Sequence, residues 1–176
     1  MKTASIGLSL AAGAALALAL AGCGQQASAP EAKPVEAAPP VAAAPAPIAA
    51  PPAVDRAAIQ ALMSPDETLE IVTLDASGAA GASGEVKGYK APVYAVQMAQ
   101  GQTLSVTFEP SNTNLYINVV DAADTSGAAV HRGEVDGPQA SVTAPKAGVY
   151  LIKPYQPRAM ARRDEAGTFK LSVVVK

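Results

Sequence analysis

The chain of 176 residues contains one cysteine, one histidine and no tryptophan, and its 13 Lys+Arg against 15 Asp+Glu leave a formal net charge of −2. Each shortage removes a class of function. A single cysteine cannot build an internal disulfide framework or a cysteine-based zinc site. A single histidine cannot build a multi-histidine metal centre, and nothing else in the sequence calls for a cofactor. Near-neutral charge gives no electrostatic footprint for nucleic acid, which is not expected as a partner. GxGxxG, P-loop and internal-repeat patterns are also missing. Ser-His-Asp catalysis would have to recruit His131, which sits between Val130 and Arg132 near a turn and reads as an exposed loop histidine. The acid pairs Asp66/Glu67 and Asp164/Glu165 are adjacent, so on a strand they point to opposite faces, whereas glycoside hydrolysis needs two carboxylates facing across a cleft. Asp121, Asp124 and Asp136 lack the alternate oxygen ligands of a calcium loop and read as solvated turn acids. The chain is not expected to be an enzyme.

What is present falls into three stretches. Met1-Lys2 opens with positive charge, and residues 6–20 are almost wholly Ala, Leu and Gly, with Ser9 the one polar residue. That run is short of the roughly 20 apolar residues a membrane span needs, but suits the core of a signal peptide. It ends in Leu20-Ala21-Gly22-Cys23, which resembles a bacterial lipoprotein signal; the alternative is an ordinary secretory signal with an incidental cysteine. The resemblance implies a signal peptide over 1–22 and a diacylated (palmitate-type) Cys23, with acyl chains as the link to a membrane. Gly24, a non-acidic residue after that cysteine, points to the periplasmic face of the outer membrane.

Residues 23–65 read as a lipidated cysteine followed by a tether. Pro30, Pro34, Pro39, Pro40, Pro45, Pro47, Pro51 and Pro52 are set in a background of alanine with no aromatic residue. Proline removes backbone donors and disfavours helix at the preceding residue, so an extended, polyproline-like spacer is expected. Near the end of that stretch, residues 55–63 are expected to form one short helix capped by Asp55.

Residues 66–176 read as an all-β domain, an antiparallel β-sandwich or jelly-roll-like fold of about eight strands. Period-2 or β-branched runs occur at 68–74, 84–88, 93–98, 103–108, 115–120, 140–143, 149–152 and 168–175. Residues 99–102 and 146–148 look like hairpin turns. Tyr94, Phe108, Tyr150 and Phe169 are the large candidates for the core.

One segment departs from this pattern. Lys153-Pro154-Tyr155-Gln156-Pro157-Arg158-Ala159-Met160-Ala161-Arg162-Arg163 carries four cations and no acid, and its prolines are expected to break the strand and leave a loop. If 158–163 makes a helical turn, Arg158 and Arg162 stand at i and i+4 and share a face. They then either pair internally, with Glu165 or Asp164, or meet an acidic partner, for which the planar guanidinium fork is well suited.

Residues 148–173, with Arg158-Ala159-Met160-Ala161-Arg162 at their centre, resemble the closing hairpin of the periplasmic inhibitors of g-type (goose-type) lysozyme, a family with Arg-x-x-Ala-Arg at this place. Gly84-Glu85-Val86-Lys87-Gly88-Tyr89 matches the family's Gly-Glu-Ile-Lys-Gly-Tyr stretch, and Gln100-Gly101-Gln102-Thr103 its turn before an alternating strand. Ala147 and Ala159 stand where the family carries a turn serine and an asparagine. The resemblance implies a compact sandwich that plugs the sugar-binding cleft of g-type lysozyme, the expected protein partner. By motif position it implies Tyr89, Arg158 and Arg162 as the partner-binding residues. The strands alone also fit the broader prepeptidase C-terminal-like sandwiches, which would make the chain an envelope module recognising peptidoglycan or an envelope protein.

Overall fold

The computed structural model describes residues 51 and 53–176. The expected signal peptide, Cys23 and nearly all of the proline-rich stretch lie outside the described residues. Within them the chain folds as a β-sandwich. The elements are α1 (Arg56–Gln60), β1 (Glu67–Ile71), β2 (Ala79–Lys87), β3 (Ala91–Met98), β4 (Thr103–Pro110), β5 (Tyr116–Asp121), β6 (Ala129–Arg132), α2 (Gly133–Asp136), β7 (Gln139–Thr143), β8 (Gly148–Tyr155), α3 (Arg158–Ala161) and β9 (Ala166–Val175). One sheet has the order β1-β3-β8-β5-β6 and the other β2-β9-β4-β7. Every pairing is antiparallel except β1 with β3, which is parallel.

Strand alternation places the core. On β9, Phe169, Leu171, Val173 and Val175 turn inward, while Thr168, Lys170 and Ser172 face water. β4 does the same with Leu104, Val106 and Phe108. All four large aromatics marked in the sequence are buried between the sheets. β3 is buried on both faces. Tyr94, Val96 and Met98 enter the inter-sheet core, and Val93 and Ala95 face outward beneath α1. That helix is the short one expected from the sequence. Asp55 Oδ1 accepts the Ala58 N–H at 3.1 Å, capping an otherwise orphan donor. Its Ile59 packs with Val93, Ala95 and Leu151, so the residues just before the sandwich help cover it.

The turns differ from expectation. The two read as hairpin turns do reverse the chain, but they carry it from one sheet to the other: β3 and β4 lie in different sheets, as do β7 and β8. The closing β8 and β9 are likewise split. Turn chemistry specifies a reversal, not the sheet that receives the next strand. β5 and β6 form the one sequential pair within a sheet among the described residues.

β6 was not expected, and it holds His131. The histidine is 7% exposed while Val130 is 52% exposed, so on this edge strand the polar residue points in and the apolar one out. The exposed-loop reading of His131 is therefore corrected. Four residues are too few for a period-2 pattern to declare itself. His131 Nε2 lies 3.0 Å from the Gly137 carbonyl, and Nδ1 lies 3.9 Å from Asp136. The turn acids close local backbone: Asp121 accepts the Ala123 N–H, Asp124 the Ser126 N–H and Asp136 the Arg132 N–H. No three of His, Cys, Asp or Glu are grouped to hold a metal among the described residues.

Pro154 does not break its strand. β8 runs on to Tyr155, with Pro154 opposite Ile117 of β5. Its ladder to β3 has already ended at Ile152 opposite Tyr94, so a residue without an N–H leaves no partner there unserved.

Candidate functional site

Two loops meet at one end of the sandwich. The first is the turn from β2 to β3. Lys87 and Lys90 exchange backbone hydrogen bonds of 3.0 and 2.9 Å, which leaves Gly88 and Tyr89 at the tip. Gly88 has φ +57°, the positive value that a type II′ turn asks of its first central residue. Tyr89 follows it, 53% exposed.

The second loop joins β8 to β9 through α3. Pro157 precedes this single helical turn, and the Arg162 N–H bonds to the Arg158 carbonyl at 3.0 Å. The i, i+4 relation expected for the two arginines is thus realised. The turn closes as a Schellman motif. The Glu165 N–H reaches the Met160 carbonyl at 3.2 Å and the Asp164 N–H the Ala161 carbonyl at 3.1 Å. Asp164 occupies the left-handed position, φ +54°, where glycine is usual.

Buried Gln156 joins the loops. Its side-chain amide donates to the Gly88 carbonyl at 3.1 Å and to the Glu165 carbonyl at 2.7 Å. The Gly88 N–H also donates to the Glu165 carbonyl at 3.0 Å. A Cβ built on Gly88 would stand 2.7 Å from Asp164 Oδ1 and 3.4 Å from the Ala161 carbonyl, so the two segments touch. Gly88→Ala is expected to cost about 1–2 kcal/mol, mostly from left-handed backbone. The check is a lower urea midpoint at unchanged slope; an unchanged midpoint contradicts the strain.

The charges sort themselves within this corner. Arg163 Nε donates to Glu165 Oε1 at 2.7 Å, and Lys87 Nζ lies 3.7 Å from Asp164 Oδ2. The two carboxylates that the sequence offered as internal partners are thus taken by other cations. The Arg158 and Arg162 guanidiniums are exposed and make no ion pair or hydrogen bond with a described residue. Beside Tyr89 a cleft of about 260 Å³ is lined by Tyr155, Gln156 and Asp66 among others. Tyr155 rests against Tyr116 with ring centroids 5.8 Å apart. Burial, and then the Glu134 carboxylate, hold its hydroxyl above the usual phenol range.

Sequence reasoning passed over Gln156 and Tyr155. Both lie in the segment singled out for its cations, but an amide between two prolines carries no pattern that announces a bridge to a turn 68 residues away.

No protein-family model matches the chain, and no curated protein matches it. Among solved structures it is similar to PliG of Aeromonas hydrophila, a periplasmic lysozyme inhibitor of g-type lysozyme. The identity is 32% and the TM-score 0.57, over 63% of this chain and 98% of that one. The Salmonella Typhimurium PliG is 27% identical with a TM-score of 0.48, over 61% of this chain and 97% of its own. With almost the whole of the Aeromonas protein matched at that identity, the chain belongs to the PliG family of periplasmic inhibitors of g-type lysozyme.

Proposed function

We propose that this protein is a lipid-anchored inhibitor of g-type lysozyme that blocks the enzyme's substrate groove with Tyr89, Arg158 and Arg162. The observation that carries this reading is the pair of exposed guanidiniums, one helical turn apart and without partners among the described residues, on a loop bonded to the turn that presents Tyr89. Glycoside hydrolysis depends on carboxyl groups inside a groove. Arginine forks entering it find acceptors in a desolvated setting, where charge-assisted hydrogen bonds are strong. Tyr89 adds contact area and a hydroxyl at little entropic cost. A sandwich of this size can present the roughly 800 Å² per partner of a standard interface.

Residues 1–22 serve as the signal peptide, and Cys23 becomes the acylated N-terminus at the periplasmic face of the outer membrane. Residues 23–53 give it reach, about 3 Å per residue where the chain is polyproline-like, while the end of the expected tether, from Val54, packs on the sandwich with Ile59. Two acyl chains hold where one alone is marginal. Labelled palmitate is expected on the wild-type chain in cells and absent from Cys23→Ala; equal labelling rejects the anchor.

The direct test uses the chain without residues 1–23, which lacks both the apolar run and the cysteine that would be acylated. Added at micromolar concentration or below, it should stop g-type lysozyme from clearing a cell-wall suspension. Tyr89→Ala should need about tenfold more protein for the same effect, the weight of a modest hot spot. Undiminished clearing at micromolar wild-type protein overturns the reading.

A further inference from the structure

Both turns at the Tyr89 corner pass from one sheet to the other, so their tips lie outside the strand ladders. The β2–β9 pairing ends at Lys87 opposite Ala166. Beyond it, the Lys87–Asp164 ion pair spans 3.7 Å with both side chains more than half exposed, and such pairs contribute little. The Gly88 N–H gives one bond to the Glu165 carbonyl. The other polar link among the described residues is Gln156, whose amide donates to the Gly88 carbonyl at 3.1 Å and to the Glu165 carbonyl at 2.7 Å.

The Gly88 carbonyl belongs to the peptide between Gly88 and Tyr89, the central one of its turn. The orientation of that peptide decides the turn type. In the II′ form only the first central residue has positive φ, and swinging the peptide over gives the I′ form, with positive φ at both. Gly88 has φ +57°, and Asp164 is the one described residue other than glycine with positive φ, so Tyr89 holds the II′ form. The same peptide fixes the direction in which the Tyr89 side chain leaves the turn. Gln156 is well placed to hold it. It follows Tyr155, the last residue of β8, and precedes Pro157, which confines it to extended backbone. At 9% exposed, it offers a docking protein almost no surface of its own.

We infer that Gln156 is a positioning residue of the inhibitory corner: its amide pins the Gly88–Tyr89 peptide to the Glu165 carbonyl and so sets Tyr89 in place beside Arg158 and Arg162 before any lysozyme arrives. That role presupposes these three residues as the inhibitory surface. Without the amide, the Gly88 carbonyl is an unserved acceptor, and the turn gains by tilting it toward water. Tyr89 then samples other directions, and only the fraction of molecules with the tyrosine in place can dock. The enzyme meets fewer competent molecules, while a complex once formed keeps its contacts.

The test compares the chain without residues 1–23 with its Gln156→Met variant, which keeps the length of the side chain and lacks the donor. Gln156→Met should bind g-type lysozyme about tenfold more weakly, the weight of a lost bond whose acceptor is left unpaired, and the loss should fall on the association rate. Tyr89→Ala, which removes a contact, should instead raise the dissociation rate. In the Gln156→Met background, Tyr89→Ala should cost less than about threefold instead of about tenfold, because the tyrosine is already out of place. Gln102→Met is the control for plain loss of stability. The Gln102 side chain accepts the Ala99 N–H at 2.7 Å in the turn at the other end of β3, and its loss should leave inhibition at the wild-type level. Amide NMR of the free chains supplies the spectroscopic sign. The wild type should show a slowly exchanging Gln156 side-chain amide, and Gln156→Met should shift the Gly88 and Tyr89 amides while those of the strands hold their positions. Wild-type inhibition by Gln156→Met, a loss carried by the dissociation rate, an undiminished Tyr89→Ala effect in its background, or equal damage from Gln102→Met each overturns the positioning role. If the wild-type chain itself fails to inhibit, the lysozyme reading falls and takes the role with it, even where the amides shift. Unmoved Gly88 and Tyr89 amides overturn the hold by Gln156 whether or not the chain inhibits.

Discussion

Phe169→Ala is expected to remove about 3–5 kcal/mol of stability, the range for truncating a buried aromatic. Its ring is the meeting point of the inter-sheet core. Phe108 packs against it at 5.2 Å between centroids and Tyr94 meets it edge-on at 6.2 Å. It also lies over Gly84, its direct partner on β2, where a Cβ would come within 2.7 Å of the ring. The glycine makes room for the ring and the ring covers the glycine, a cross-strand arrangement that pins register. β9 sits between β2 and β4, so the cavity would open at the centre of its sheet rather than at an edge that can collapse. Domains of this size hold about 5–15 kcal/mol in all, so most of the margin goes. Urea denaturation should show a much lower midpoint at an unchanged slope. Phe169→Leu, which keeps most of the volume, should lose clearly less. A loss below about 1 kcal/mol for alanine would mean that the ring is not the centre of the core.

That core was legible in the sequence because alternation is a property of each strand alone. On β4 and β9 the apolar residues recur at every second position, and the structure turns those residues inward. Nothing local records which sheet a strand joins, and so the turns at 99–102 and 146–148 were read as hairpins when they are crossings. β6 escaped because its four residues, read alone, put valine and histidine on the wrong sides, and pairing with β5 decided the matter. The corner that carries Tyr89 was half legible. The helical spacing of Arg158 and Arg162 could be stated in advance, since it follows from the pitch of a helix. Their freedom from internal partners could not, since it depends on Lys87 and Arg163 reaching Asp164 and Glu165 first. Gln156 was silent for the same reason: both carbonyls it serves belong to other segments of the chain.

The difference between free and occupied cations gives the second large effect. Arg158→Ala combined with Arg162→Ala should weaken inhibition of g-type lysozyme by about a thousandfold, from about 2 kcal/mol for each hot-spot arginine. The two stand one helical turn apart, Arg158 opening α3 and Arg162 as its C-cap, and would enter the same groove, so a thousandfold is the additive limit of the loss. Exposed and unpaired among the described residues, they leave no orphaned partner behind there, and the double variant should unfold at the wild-type midpoint. Arg158→Lys and Arg162→Lys keep the charge but lose the planar fork, and should fall between wild type and alanine. Arg163→Ala is the matched control. It sits beside Arg162 and carries the same charge, but it is already engaged with Glu165. Inhibition should survive its loss nearly intact. If Arg163→Ala proves as damaging as the double variant, net positive charge at the corner is what matters, and the paired forks of Arg158 and Arg162 are not the inhibitory element.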